Sequence, residues 1–196
     1  MPITADLTIR ETAALSGVSR TTIEKAMEAR VLQALTGPAR LRGGAMRYLP
    51  IRAVVYFHAL KAANLTDLPL RHKRAIWTNM SRLEPMQLET IEFTPGAMLD
   101  LKRLAADSLR NAEQYRKARD RYITSDKDIL GGTPVIAGTR LTVYAILGRL
   151  QDGDSIDDLV EDYPEIPREA FEAAEIYAKS HPLRGRPSGR PWRNAA

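Results

Sequence analysis

The 196-residue chain contains no cysteine. That absence excludes a disulfide scaffold, a thiol nucleophile and a cysteine-ligated zinc site. Aromatic residues are scarce, at 6%. Histidine occurs only at His58, His72 and His181, too scattered to form a metal cluster or to pair with a nucleophile in sequence. No apolar run approaches the roughly 20 residues that a membrane helix requires. The opening MPITADLTIR lacks the basic and apolar regions of a secretory leader. The glycines fit neither the G-x-x-x-x-G-K-[ST] nor the G-x-G-x-x-G phosphate loop and read as turn residues. These absences together predict a cytoplasmic, non-enzymatic protein without metal or cofactor.

What is present is a strongly divided charge. Residues 1–123 hold 20 basic and 12 acidic side chains, a net +8. Residues 124–180 hold 5 and 12, a net −7, and residues 181–196 hold four arginines and no acid. A basic block suits a polyanion and an acidic block does not, so at least two kinds of partner are expected. The apolar content of 44% supports packed cores. The chain divides into residues 1–64, 65–123, 124–181 and 182–196.

In LTIRETAALSGVSRTTIEKAMEARVL (7–32), Ile9 and Ala13 give a short apolar face and Gly17 stops the first helix. Ser19 is a good N-cap for the second. Ile23, Met27 and Val31 then face the first helix. The spacing Ala13-x3-Gly17-x5-Ile23 is that of a helix-turn-helix, in which glycine takes the left-handed turn position. It leaves Arg20, Thr21, Thr22 and Lys25 near the exposed start of the second helix, where base edges and phosphates are reached. A plain helical hairpin is the alternative reading. RLRGGAMRYL (40–49) predicts two short strands around Gly43-Gly44, carrying Arg40, Arg42 and Arg47. Such a basic hairpin is a wing that touches phosphate or the minor groove. An apolar helix over 51–64 closes the small core. This portion resembles the winged helix-turn-helix of MerR-type regulators, which implies double-stranded operator DNA as a ligand.

Residues 68–83 predict a helix with Ile76 and Trp77 inside and Arg71, His72, Lys73 and Arg74 on a basic face, read as solvated in preference to a second phosphate contact. LETIEF (88–93) and AMLDL (97–101) predict a strand pair turned at Pro95-Gly96. Residues 102–123 form the longest predicted helix, with an imperfect stripe of Leu104, Leu109 and Tyr115. A homodimer through this region is the default expectation, because a symmetric protein matches paired half-sites.

In residues 123–182, the apolar runs 134–136 and 141–143 predict a β-hairpin, anchored by Arg140 through a carboxylate or carbonyls, with a partner contact as the alternative role for that arginine. Helices follow over TVYAILGRLQDG, over SIDDLVEDY capped by Ser155, and from Pro167, the last with an inner stripe of Phe171, Ala174, Tyr177 and Ala178. The fold class is therefore mainly α with small β-hairpins: an N-terminal winged helix-turn-helix and a C-terminal trihelical, helix-turn-helix-like domain. Glu169, Glu172 and Glu175 on the last helix disfavour DNA, so this domain is expected to bind protein.

The run GGTPVIAGTRLTV followed by GDSIDDLVEDYPEIPREAFEAAEIYA resembles the domain-of-unknown-function family 433. The resemblance implies a VapB-like antitoxin that neutralises a PIN-like, metal-dependent ribonuclease toxin and represses its own operon. The alternative is a MerR-like transcriptional regulator without a toxin. The tail HPLRGRPSGRPWRNAA has three readings. It is a disordered solubilising end, a minor-groove contact through its AT-hook-like Arg184-Gly185-Arg186-Pro187, or a toxin contact. In the last, Arg184, Arg186, Arg190 and Arg193 pair with the toxin's metal-binding carboxylates and Trp192 adds apolar burial. The resemblance favours the toxin contact.

Overall fold

The structure is a computed structural model and describes residues 7–38, 45–84 and 87–183. The described residues are mainly helical, with three small antiparallel sheets. Strand β1 (Leu7–Thr8) runs directly into helix α1 (Ile9–Ser16), and α2 (Arg20–Glu28) follows Gly17. Strands β2 (Leu35–Pro38) and β3 (Ala45–Leu49) pair antiparallel, and β1 adds to the far edge of β3 through Leu7 opposite Leu49. The first strand of the expected 40–49 hairpin therefore lies earlier than residues 40–42, which with the rest of 39–44 are outside the described residues.

Helix α3 (Arg52–Ala62) is buried on nearly every side, as its Ala-Val-Val-Tyr-Phe run requires. Helix α4 (Leu70–Arg82) buries Ile76 and Met80. It packs on the hairpin of β4 (Thr90–Thr94) and β5 (Ala97–Asp100), where Asn79 donates to the Glu92 carbonyl at 2.6 Å. One core joins Ile23, Val31, Leu49, Tyr56, Phe57, Ile76, Met80, Ile91 and Leu99 to Leu101, Ala105 and Leu109 of helix α5 (Leu101–Tyr122).

Helix α5 is the spine. Its buried positions are Leu101, Ala105, Ser108, Leu109, Ala112, Tyr115, Ala118 and Arg119. This stripe is wider than leucine spacing alone predicts, because alanines let neighbouring helices approach closely. It packs on α3, on α1 and on α8 (Arg168–Ser180). The apolar stripe is thus covered within the chain.

The C-terminal unit corrects the expected 134–143 hairpin. Strand β6 (Ile123–Thr124), continuing from α5, pairs with β7 (Val135–Ile136). The 141–143 segment makes only an isolated bridge, Val135 to Thr142. Thr142 instead caps helix α6 (Val143–Asp152), accepting the Ala145 N–H at 3.0 Å, so the chain turns into helix before a strand can form. Arg140 is exposed and pairs with no carboxylate among the described residues, so it does not anchor the turn as expected. Helix α7 (Ile156–Asp162) opens on a Ser155–Asp158 capping box, and α8 opens after Pro167. Phe171, Ala174, Tyr177 and Ala178 are buried together with Ile146 and Leu159.

The two units meet over a third cluster of Leu7, Val54, Ala112, Tyr115, Ala118 and Ala173. At its centre Glu11 is fully buried. Glu11 Oε2 accepts the Thr8 N–H at 2.6 Å. Oε1 accepts the Tyr115 hydroxyl at 2.6 Å and Arg119 Nη1 at 3.2 Å. Arg119, only 2% exposed, also reaches Asp120 at 2.8 Å.

A buried pair broken on one side leaves an uncompensated charge. Glu11→Gln is therefore expected to lose about 3–5 kcal/mol of unfolding free energy, read from urea midpoints. In Glu11→Gln/Arg119→Met, where neither charge remains, part of that loss is expected to return.

Tyr56 and Tyr115 are buried, and desolvation pushes both phenols above their ordinary value, with Glu11 adding to the effect at Tyr115. The unfolded chain releases these protons near pH 10 while the fold retains them. Stability is thus unaffected below about pH 10 and falls above it by about 1.4 kcal/mol per pH unit for each tyrosine. Tyr56→Phe should remove one proton's share of that slope in urea titrations carried from about pH 9 to pH 11.

Candidate nucleic-acid interface

The surface begins with Thr8, whose hydroxyl accepts the Glu11 N–H at 3.2 Å while Glu11 reaches back to the Thr8 N–H. This capping box fixes the start of α1. Gly17 ends α1 at φ +70°, donating to the Ala13 carbonyl at 3.0 Å. A Cβ there would also stand 3.0 Å from Lys61 Nζ, which itself donates to the Gly17 carbonyl at 2.6 Å. Ser19 then caps α2 by accepting the Thr22 N–H at 3.1 Å. Ile23 is fully buried and turns the α2 axis so that the opposite face is outward.

On that face Arg20, Thr21 and Lys25 are exposed. Arg20 already pairs with Glu24 at 2.7 Å, so a ligand must share or displace that carboxylate. Thr22 is half-buried and its hydroxyl lies 2.8 Å from Ser19 Oγ, which ties it to the cap. Arg47 is exposed on β3, opposite Thr36. Arg40 and Arg42 lie outside the described residues, as do Arg184, Arg186, Arg190, Trp192 and Arg193.

Arg10, in the first turn of α1, was not marked by sequence spacing. It borders the same cleft as Arg20 and Arg47, and a basic residue two positions after the Thr8 cap is the only local trace of it. Other cations of the basic block serve the fold. Lys61 closes α1, Arg74 donates to the Ala29 carbonyl at 2.7 Å beyond α2, and Arg52 donates to the Met80 carbonyl at 3.3 Å. The solvated face expected on α4 therefore loses Arg74 to a helix-end contact.

The acidic unit is similarly divided. Arg149 reaches Asp154 at 2.5 Å and Asp162 at 2.6 Å, tying the α6–α7 turn to the end of α7. Those hydrogen bonds hold its guanidinium protonated still more firmly than usual. Hydrogen bonds from the Ser155 backbone and hydroxyl lower the Asp158 carboxyl below its ordinary range. Arg168 pairs with Asp157, and Lys179 with Glu175 at 2.5 Å. Glu169 and Glu172 stay exposed on α8, with Tyr122 donating weakly to Glu169 at 3.4 Å. Among the described residues no His/Asp/Glu group is arranged to hold a metal ion, and no helix is long and apolar enough to cross a membrane.

Residues 123–178 match the family model described as a protein of unknown function, DUF433. The match starts at β6 and ends inside α8, and it coincides with the acidic unit. An uncharacterized protein of Sinorhizobium fredii (strain NBRC 101917 / NGR234) is 38% identical over 103 residues. Those residues are 53% of this chain and 41% of that protein, so the chain spans about two fifths of the length of that relative. No solved structure matches the chain.

The geometry separates residues that hold the surface from residues that it presents. Ser19→Ala should lower stability by about 1 kcal/mol through loss of the cap. Arg20→Ala, Lys25→Ala and Arg47→Ala should each stay within about 0.5 kcal/mol of the parent in thermal or urea unfolding.

Proposed function

We propose that the chain is the antitoxin of a two-component toxin–antitoxin system and that it also represses its own operon. In this reading α1, Gly17 and α2 form a helix-turn-helix, with β2 and β3 as its wing. Arg20, Thr21 and Lys25 enter the major groove of operator DNA while Arg47, with Arg40 and Arg42, follows the adjacent backbone. The C-terminal unit and the basic tail hold a PIN-like ribonuclease. Arg184, Arg186, Arg190 and Arg193 oppose the carboxylates of its metal site, and Trp192 adds apolar contact. A homodimer presents two such helices to paired half-sites.

The observation that carries the reading is the presence in one chain of two unlike surfaces. One is an exposed basic helix face set by a buried isoleucine and a left-handed glycine. The other is a 433-family match whose last helix exposes Glu169 and Glu172. The first suits a polyanion and the second repels it. A regulator without a toxin is the second reading, favoured by a cleft of about 950 Å³ between the two units that has room for a small effector.

Toxicity rescue tests the proposal. The protein encoded beside this gene is expressed alone, with the full chain, and with a chain stopped after Ser180. The expected result is growth arrest by the neighbour and rescue by the full chain, with the truncation failing if the tail neutralises. A harmless neighbour, or a toxic one that the full chain leaves active, would sink the antitoxin reading. In gel shifts with DNA from upstream of the gene, Arg20→Ala/Lys25→Ala should weaken binding at least about tenfold.

A further inference from the structure

The cleft between the two units has an unusual wall. On one side it is lined by Arg10 of α1, Arg20 of α2 and Arg47 of β3. On the other it is lined by the Gly131–Pro134 loop, Tyr144 and the chain leaving α8. Arg10 and Arg47 are exposed, and neither makes an ion pair or hydrogen bond among the described residues. Glu24 is the one carboxylate on the described wall, and it is engaged by Arg20. Arg10 and Arg47 thus border the cleft with cations that no carboxylate of its described wall neutralises, which favours an anion there.

The opposite wall suits an anion as well. Among the described residues it contributes no acidic side chain, although it belongs to the acidic unit. Gly131 and Gly132 adopt left-handed φ values of +64° and +84°, bringing backbone rather than side chain to the cleft surface. The Tyr144 hydroxyl donates to the His181 carbonyl at 2.6 Å and so fixes the turn after α8.

We infer that this cleft is a binding site for a phosphate group, built jointly by the basic helix region and the family-433 unit. A guanidinium fork matches phosphate oxygens in two-point geometry, and the cleft volume falls in the range of small-molecule sites. The phosphate has two sources of the same chemistry: the backbone of DNA held at α2, or a free phosphorylated small molecule. The first rests on the DNA-binding reading above and extends it, since the acidic unit then borders the bound duplex. The second does not depend on it.

The experiment uses the full chain with Arg10→Ala and Thr133→Glu, the latter placing a carboxylate on the C-terminal wall. The probes are inorganic pyrophosphate, followed by thermal shift, and the upstream DNA, titrated across salt concentrations. If pyrophosphate raises the melting temperature and both variants blunt the rise, the site takes free phosphate. If pyrophosphate is silent, backbone binding predicts a salt slope smaller by about 0.9 in Arg10→Ala and several-fold weaker DNA binding by Thr133→Glu. If Thr133→Glu changes neither readout, the N-terminal surface acts alone and the joint site is overturned. Insensitivity of both probes to both variants overturns it too. If the parent chain shifts no DNA, the DNA-binding reading fails on its own, and the pyrophosphate response alone decides the site.

Discussion

The structure depends most on a single buried carboxylate. Glu11 closes the capping box of α1 with one oxygen and receives Tyr115 and Arg119 of α5 with the other. A carboxylate is costly to bury unless every lone-pair direction finds a donor. Here the Thr8 N–H is local, and the other two donors lie 104 and 108 residues from Glu11 in sequence. Satisfying Glu11 therefore forces α1 against α5, and α8 packs against both. The apolar cluster around Leu7, Val54, Ala112 and Ala173 excludes water from the same place and strengthens the electrostatic contacts it encloses.

The same constraint orders the use of cations. In a chain with net +5, a basic segment invites the idea of a uniformly positive surface. The fold instead assigns Lys61, Arg74 and Arg52 to helix-end carbonyls and Arg119 to the interior. Helix C-termini carry partial negative charge and orphan carbonyls, so a nearby cation is stabilised there. Among the cations left exposed, Arg10, Arg20 and Arg47 border one cleft, and Lys25 stands exposed on the same helix as Arg20. Concentrating them this way gives the proposed DNA-binding surface its definition.

The acidic unit follows a parallel logic. Arg149 and Arg168 bind carboxylates of the α6–α7 turn and of α7, and Asp158 closes its own helix start. Much of the acidity that gives residues 124–180 a net −7 thus stabilises turns and helix starts. What remains outward on α8 is Glu169 and Glu172, the face assigned to a protein partner in the proposed function. The family match begins at β6, directly where α5 ends. The boundary is covalently seamless, and helix α5 serves both units.

How much was legible in the sequence follows the distance over which each decision is made. Caps, stops and stripes are set within about four residues along the chain. Ser19, Ser155, Gly17 and the Phe171–Ala174–Tyr177–Ala178 stripe accordingly stand where the pattern predicts. Thr8-x-x-Glu11 has the capping-box pattern, left unmarked in the reading of residues 7–32, and nothing local marks Glu11 as the meeting point of α1 and α5. The pairing of β7 with β6 was hidden for the same reason, since the 141–143 run looked like the nearer partner until the Thr142 cap claimed it for α6. Arg10 joined Arg20 and Arg47 only because α1, α2 and β3 converge on one cleft. The sequence by itself determined where helices start, stop and turn their apolar faces. Tertiary structure alone decided which charges are buried, which are tied to helix ends and which face outward together, because those choices depend on donors and acceptors brought together from distant parts of the chain.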